Sequence, residues 1–340
     1  MCKGNRNIMQ KRYTTTIVIP NYNGMDFLET CLSSLETQSY QQFSVLIVDN
    51  GSTDGSVEWL HAHESARVRV IYLTENTGFA AAVNTGIKAS DTPYVLLLNN
   101  DIRADEHFVA EMVRAISRSK RIFSAASKMI RMYEPELMDS AGDQYTVAGW
   151  AFNRGTGRRI THYNQPCRVF SACAGAAIYR RDVFEKIGYF DEKHFAYLED
   201  IDVGYRARLY GYVNIYTPKA VVWHVGSGTS GSRYNEFKVR LTIRNNIWLN
   251  YKNMPDWQLL LNALPITCGM AVKYVFFLRK GLGKAFREGI AEGFRDRDQC
   301  ERVDFTKIPL RRLLLIQGDL LANFGEYVGQ VLKRRAETSQ

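Results

Sequence analysis

The sequence predicts an α/β fold: a mainly parallel sheet with helices on both faces, followed by a C-terminal helical extension. Three observations lead there. Between Thr14 and about Gly226, short apolar, β-rich runs alternate with helical runs. The strand-like runs are almost continuously apolar, the pattern of strands buried on both faces of a parallel sheet. Polar residues then cluster at their carboxyl ends, the edge where such sheets bind ligands.

The elements follow in order. Thr15-Thr16-Ile17-Val18-Ile19 is a compact strand, ended by Pro20 and the turn-prone Asn21 and Asn23. A helix follows from about Phe27 to Glu36, where Phe27, Leu28, Cys31, Leu32 and Leu35 recur at three- and four-residue steps. Phe43 to Val48 is the next strand and ends at Asp49. A helix around Ser56 to His63, a strand at Val68 to Leu73, a helix around Ala80 to Ala89 and the apolar strand Tyr94 to Leu98 complete the series. Four successive strands thus send Asn21 and Asn23, Asp49, Asn76, and Asn99-Asn100-Asp101 to one edge. No G-x-G-x-x-G follows the first strand, and no G-x-x-x-x-G-K-[ST] occurs, so the usual dinucleotide and P-loop phosphate cradles are missing.

From about Ser232 the chain turns helical and basic. Asn235 to Tyr251 is one expected helix, and Trp257 to Leu278 holds one or two more, interrupted at Pro265. Arg311 to Arg334 is the last, with Leu314, Leu321, Phe324, Val328 and Val331 on one face. Two units are expected, 14–231 and 232–340, in keeping with a length of 340 residues.

Charge divides the same way. Of the formal net charge of +9, residues 231–340 supply most, with 19 Lys+Arg against 11 Asp+Glu. Such a segment suits anionic lipid, anionic substrate or nucleic acid. A composition of 46% hydrophobic and 23% charged residues excludes disordered, collagenous and disulfide-framework classes. No pair of the six cysteines has C-x-x-C spacing, so they read as small buried thiols of a reducing compartment. Met1 to Arg12 is polar and basic without an apolar core, and is not expected to be a signal peptide. Trp257 to Val272 carries no charge, but Asn262, Pro265 and Lys273 weigh against a true span. An interfacial helix, ordinary packing and a span are the three readings of this stretch.

Several runs carry a family resemblance: Ile19-Pro20-Asn21-Tyr22-Asn23, Val48-Asp49-Asn50-Gly51-Ser52-Thr53-Asp54-Gly55-Ser56 and Asn76-Thr77-Gly78-Phe79-Ala80. Leu98-Asn99-Asn100-Asp101 and Leu198-Glu199-Asp200-Ile201-Asp202 extend it. Their order and spacing, over roughly residues 14 to 250, resemble family 2 glycosyltransferases, and within them bacterial rhamnosyltransferase-like and galactofuranosyltransferase-like members. The resemblance implies a GT-A fold with a Rossmann-like sheet. It also implies an inverting enzyme that moves a sugar from a UDP- or dTDP-linked donor to a hydroxyl of a glycan or lipid-linked glycan, in bacterial cell-surface polysaccharide synthesis.

Carried over residue by residue, Pro20, Asn21, Tyr22, Asn23, Asp49, Asn76, Asn100 and Asp101 are implied to border the nucleotide-sugar. Asp49 would accept from N3–H of uracil or thymine, unless it only organises the Asn50-Gly51 turn. Asp54 reads as a helix cap. Asn84 borders the nucleotide or is a structural hydrogen bonder beneath it. Asn99-Asn100-Asp101 occupies the family's D-x-D position, with Asn99 in place of the first Asp. Asp101, with His224 after Val221-Val222-Trp223, is implied to hold a divalent metal, Mn²⁺ or Mg²⁺. Asp200 is implied to be the base that deprotonates the acceptor, and Glu199 to hold acceptor hydroxyls. Asp202 reads as the favourable acidic start of a helix over Val203 to Leu209.

Gly175-Ala176-Ala177 bounds the sugar site or simply packs closely. Arg240 and Arg244, four apart, form a diphosphate clamp or a solvated face.

Two other readings compete. A sugar nucleotidyltransferase would need a basic Gly-rich loop after the first strand, and Pro20-Asn21-Tyr22-Asn23-Gly24 has no Lys or Arg. A degenerate, non-catalytic binding protein is suggested by Asn99 and opposed by Asp101, Asp200 and His224. A nucleic-acid partner is not expected, because aromatics are not interleaved with basic residues on a sheet. The basic helices are expected to hold the enzyme at the inner face of the cytoplasmic membrane.

Overall fold

The computed structural model of the chain describes residues 13–226 and 234–338. Met1 to Arg12 and the expected unit boundary at 231/232 lie outside the described residues.

Strands β1 (Thr15–Asn21), β2 (Phe43–Asn50), β3 (Val68–Leu73) and β4 (Tyr94–Leu98) alternate with helices α1 (Met25–Glu36), α2 (Ser56–His63) and α3 (Phe79–Lys88). Then come β5 (Ile102–Ala104), α4 (Phe108–Ser117), β6 (Ile122–Arg131), β7 (Met138–Ser140), β8 (Asp143–Tyr145), β9 (Ala151–Asn153) and β10 (Cys167–Val169). β11 (Ala176–Arg180), α5 (Arg181–Ile187), α6 (Glu199–Leu209) and β12 (Val213–His224) finish the sheet region. Helices α7 (Glu236–Asn253), α8 (Asp256–Arg279), α9 (Gly283–Arg295) and α10 (Leu310–Thr338) follow.

The main sheet runs β10-β12-β6-β11-β4-β1-β2-β3. β3, β2, β1 and β4 are parallel neighbours. β11 lies antiparallel between β4 and β6, and β12 runs parallel to β6. Alternate residues of each strand enter opposite layers, which is why the strands read as unbroken apolar runs. Ile17, Ile19, Leu96 and Leu98 pack under α1 and α4, while Val18, Val95 and Leu97 pack under α3 and α5.

The helical region is joined to the sheet domain through a buried polar network. Asp202, completely buried, takes Arg206 Nη2 at 2.8 Å, Lys252 Nζ at 3.1 Å and Asn253 Nδ2 at 2.7 Å. Lys252 also reaches Asp191 at 2.9 Å. Burial alone would raise Asp202, but the Arg206 and Lys252 charges hold its carboxyl far below the usual range. Removing one partner from such a group costs about 3–5 kcal/mol. This corrects the expectation for Asp202. The helix begins at Glu199, earlier than its sequence suggested, and Asp202 faces inward as the tie between α6 and α7.

The expected break at Pro265 is also absent, since α8 runs unbroken from Asp256 to Arg279. The lost hydrogen bond and ring clash of an internal proline cost about 3 kcal/mol. Contacts on both sides offset this: Asn262 Nδ2 donates to Gln317 Oε1 at 3.0 Å, and Trp150 Nε1 donates to Gly269 O at 3.2 Å. By length and composition α8 could cross a membrane, and only 11% of its most apolar stretch is buried. Leu260 and Leu264 are 80% and 74% exposed, and on α10 the expected apolar stripe of Leu314, Leu321, Val328 and Val331 also faces outward. Among the described cysteines none is bridged; Cys31 and Cys300 are buried, whereas Cys268 is exposed.

Candidate active site

The carboxyl ends of β1, β2 and β4 are tied together by amides. Asn100 Nδ2 donates to Asn21 Oδ1 at 2.6 Å, and Asn21 Nδ2 donates to Asp49 Oδ2 at 2.8 Å. Asp49 Oδ1 accepts from Ser52 N at 3.0 Å. Asp49 is completely buried, and through Ser52 it organises the turn that ends β2. Asn23, at φ +49°, turns its Oδ1 to Thr53 N at 2.8 Å and braces the same loop from outside, away from the lining. Asn76 Oδ1 accepts from Asn50 Nδ2 and Gly78 N, each at 3.0 Å. The N-cap of α2 is Gly55, one residue beyond the expected Asp54, which still accepts from the first helical N–H, Ser56 N, at 3.1 Å and from Met25 N at 2.9 Å. Asn84 is structural, clasping Phe190 through both its backbone N and O.

Sheet register explains why Asp101 meets His224. β12 pairs antiparallel with β5 so that His224 stands opposite Ile102, and Val225 N donates to Asp101 O at 3.1 Å. His224 Nε2 then lies 3.2 Å from Asp101 Oδ1, while its Nδ1 lies 2.8 Å from Asp139 Oδ2. Burial would lower His224, but hydrogen bonds and charge from both carboxylates push it up to about 10. The set suits a divalent cation. Atoms about 3 Å apart are spaced like adjacent ligands of a small ion, and a carboxylate on the far ring nitrogen is the usual support of a metal-bound histidine.

Ahead of α6 the backbone is strained. Phe195, Tyr197 and Leu198 have φ of +63°, +73° and +68°, costly for residues with side chains. One side chain of α7 holds this loop. Asn245 Nδ2 lies 3.0, 2.9 and 2.8 Å from the carbonyl oxygens of His194, Ala196 and Tyr197. Arg244 Nη2 adds bonds to Lys193 O and His194 O at 3.0 and 3.1 Å. This corrects the diphosphate-clamp alternative, for Arg244 is committed to this loop and Arg240 lies 3.6 Å from Glu292.

The loop delivers Glu199 and Asp200 to the first turn of α6. Asp200 Oδ1 accepts from Ile201 N at 2.7 Å and Oδ2 from Ala174 N at 3.4 Å. Asp143, buried on β8, shares a side-chain hydrogen bond with Asp200. Burial and the Asp200 charge push Asp143 well above the carboxylate range, so Asp143 carries the shared proton. Burial also raises Asp200, against the donors that hold it down. Glu199 is raised well above its ordinary value by burial and by the Asp200 charge, and its buried Oε2 has no hydrogen-bond partner. Donor atoms of Asp143, Cys173 and Asp200 lie within 4.8 Å of one another, a second acidic group able to hold a cation, at present joined by the Asp143 proton.

Glu199, Asp200, Cys173, Asp101 and His224 line one cleft of about 420 Å³, within the range of small-molecule sites. Of the expected residues it gathers Pro20, Asn21, Tyr22, Asn76, Asn100, Asp101, Glu199, Asp200 and His224, and leaves out Asn23 and Asp49. Gly175 is there too, beside Asn99. Lys238 of α7, whose ammonium burial lowers, also lines it, together with Phe195 and Tyr197. Sequence reasoning missed Lys238, Asp139, Asp143 and Asn245, each brought in from a distant segment without a local motif.

Residues 16–188 match the family model described as "Glycosyl transferase family 2". N-acetylglucosaminyl-diphospho-decaprenol L-rhamnosyltransferase of Mycobacterium tuberculosis is 29% identical over 240 residues, 63% of this chain and 77% of that one. Among solved structures, GalNAc-T7 with UDP, GalNAc and Mn²⁺ superposes with TM-score 0.59 at 14% identity, over 87% of this chain and only 56% of its own. The mannosyltransferase PcManGT from Pyrobaculum calidifontis, in complex with GDP-Man and Mn²⁺, gives TM-score 0.54 at 15% identity over 84% and 88%. The sheet and its helices are those of the GT-A fold, and the family match spans half the sequence: the chain belongs to glycosyltransferase family 2.

Proposed function

We propose that the protein is an inverting glycosyltransferase that moves a sugar from a nucleoside diphosphate, UDP or dTDP, to a hydroxyl of a lipid-linked or growing glycan of the bacterial cell surface. The observation that carries this reading is the cleft itself, in which Glu199 and Asp200 from the start of α6 share one cavity with Asp101 and His224 from the ends of β4 and β12. Asp200 takes the proton of the acceptor hydroxyl as its oxygen bonds to the anomeric carbon. The bond from that carbon to the diphosphate breaks, and the diphosphate leaves with the electron pair. A base near neutrality works best with a raised pKa, and burial supplies it. Glu199, kept neutral, donates to and accepts from sugar hydroxyls. Pro20, Asn21, Tyr22, Asn76 and Asn100 bound the donor, and Lys238 adds positive charge.

A Mn²⁺ or Mg²⁺ ion held by Asp101 and His224 would neutralise charge on the departing diphosphate. The mycobacterial relative, named for a diphospho-decaprenol substrate, supports an acceptor anchored in a membrane. Residues 14–231 would then be the catalytic unit, and 232–340 would rest the exposed apolar faces of α8 and α10 on the inner face of the cytoplasmic membrane.

The test is Asp200→Asn, which should fold, bind nucleotide-sugar and lose on the order of 10³-fold in turnover. Full activity in that variant removes Asp200 as the base, and turnover untouched by EDTA removes the metal. Leu260→Glu with Leu264→Glu should release the protein from membranes; an unchanged membrane fraction excludes docking through α8.

A further inference from the structure

A second cavity, of about 290 Å³, lies away from the cleft and is lined by four arginines, Arg121, Arg168, Arg208 and Arg312. It sits where β6 and β12 begin: Arg121 precedes β6 directly, and Val213 at the start of β12 also lines it. His224 of the catalytic cleft is at the other end of the same twelve-residue strand, roughly 35 Å away.

The charges there are poorly matched by protein groups. Asp319 is the single carboxylate of the lining, and it pairs with Arg208. Among the described residues Arg121 and Arg168, both exposed, have no ion-pair partner. Arg208 is depressed first by burial and then by the nearby positive charge of Arg168, despite Asp319. Its Nε–H, shielded from solvent, has no acceptor. Arg312 uses one arm to donate to Leu209 O at 2.8 Å. Arg208 also donates Nη1 to Val169 O at 3.3 Å. Guanidinium forks that line one cavity with a charge excess are suited to a tetrahedral oxyanion, which accepts bidentate hydrogen bonds from several of them.

The geometry points to a phosphate-binding site in this cavity, formed by Arg121, Arg168, Arg208 and Arg312. Its ligand is a phosphate group, supplied either free in solution or as the headgroup of an anionic lipid. Leu315 lines the same cavity and is 60% exposed, and Leu310 and Leu314 nearby are similarly open, which gives a lipid phosphate an apolar rim for its chains. The site does not depend on the proposed transfer reaction, and its test does not read activity.

The experiment compares the full chain with an Arg121→Gln/Arg168→Gln pair, whose exposed side chains leave the core untouched. Titration with inorganic phosphate and pyrophosphate forms one arm. Flotation with phosphatidylcholine vesicles, with and without phosphatidylglycerol, forms the other. An Arg69→Gln/Arg118→Gln pair removes two exposed charges elsewhere as a control. The pocket pair should weaken binding about tenfold in at least one arm, with the control pair unchanged. Loss in the phosphate arm identifies a soluble ligand, and loss in the vesicle arm alone identifies a lipid headgroup. Binding of neither probe by the unsubstituted protein, equal binding by the pocket pair, or an equal loss in the control pair overturns the site.

Discussion

Asn245 donates its side-chain amide to Tyr197 O at 2.8 Å, and the same nitrogen lies within 3.0 Å of His194 O and Ala196 O. A residue of α7, in the region beyond the sheet, therefore fixes the strained turn that presents Glu199 and Asp200. The three left-handed residues at 195, 197 and 198 persist because Asn245 binds the carbonyls of Ala196 and Tyr197 between them, and because Phe195 O accepts from Ala80 N at 3.2 Å. Gly78 permits that second contact. At φ +88°, a Cβ there would stand 2.6 Å from Phe195 O.

Asn245→Ala takes their side-chain donor from Ala196 O and Tyr197 O, while His194 O keeps Arg244, at a cost of about 1–3 kcal/mol in stability. With the turn relaxed, Asp200 shifts relative to the donor sugar, and misplacement by about 1 Å is worth on the order of 10²-fold in rate. The expected result is a fall in kcat with nucleotide affinity nearly unchanged, because the ends of β1, β2 and β4 do not touch Asn245. Steady-state kinetics with nucleotide titration checks it, and a purely structural role would lower stability without this split.

Gly24 lies against the amide pair that joins β1 to the Asn99-Asn100-Asp101 segment. A Cβ there would come 1.9 Å from Asn100 Nδ2 and 2.7 Å from Asn21 Oδ1. Gly24→Ala must therefore break the 2.6 Å bond between Asn100 and Asn21. The expected effect is weaker donor binding, about tenfold for roughly 1.4 kcal/mol of lost preorganisation, measured as the Kd for nucleotide. An unaltered Kd would mean the pair does not shape the donor site.

The sheet was legible because its signals are local. Ile17 to Ile19 and Tyr94 to Leu98 read as strands buried on both faces, and the polar residues after them mark the binding edge. The cleft was legible where a motif carried it, at Asn21, Asp101, Glu199 and Asp200. Direction of burial was not. Asp49 and Asp202 stand in polar stretches, yet both are completely buried, each neutralised or bonded by residues distant in sequence. Asn245 shows no signal at all beyond a polar residue in a helix, since its three partners lie about fifty positions earlier. Pro265 misled in the other direction, because tertiary anchoring of α8 outweighed a local breaker.

His194 makes acid stability informative. It is completely buried, and neither ring nitrogen has a hydrogen-bond partner. Burial pulls it down to about 4, against the raising influence of Asp202 and Asp191. Its folded pKa is thus below the ordinary value of about 6.5. The unfolded chain takes up the proton first, so stability is full above about pH 6.5 and falls as pH drops toward 4. The loss attributable to this group is about 3 kcal/mol. Urea unfolding at pH 7.5, 6, 5 and 4.5 should show that decline, and His194→Phe should flatten it while the protein stays folded at pH 7.5. A decline of the same size in His194→Phe would assign the acid sensitivity to other groups.

Asp143 offers a direct probe of the base. It carries a proton and shares it with Asp200, and this donor favours the ionised form of Asp200. Asp143→Ala removes the donor, so the Asp200 pKa rises and the acid limb of kcat/KM moves to higher pH. Asp143→Asn keeps a neutral donor in the same place and should leave that limb near its original position. Because two interacting carboxyls titrate as a pair, the unsubstituted enzyme should show two apparent values, and both variants only one. Turnover at pH well above the limb should recover in Asp143→Ala, since the base is then ionised again. A pH profile that does not move in Asp143→Ala would mean that the proton acceptor of the reaction is a group other than Asp200.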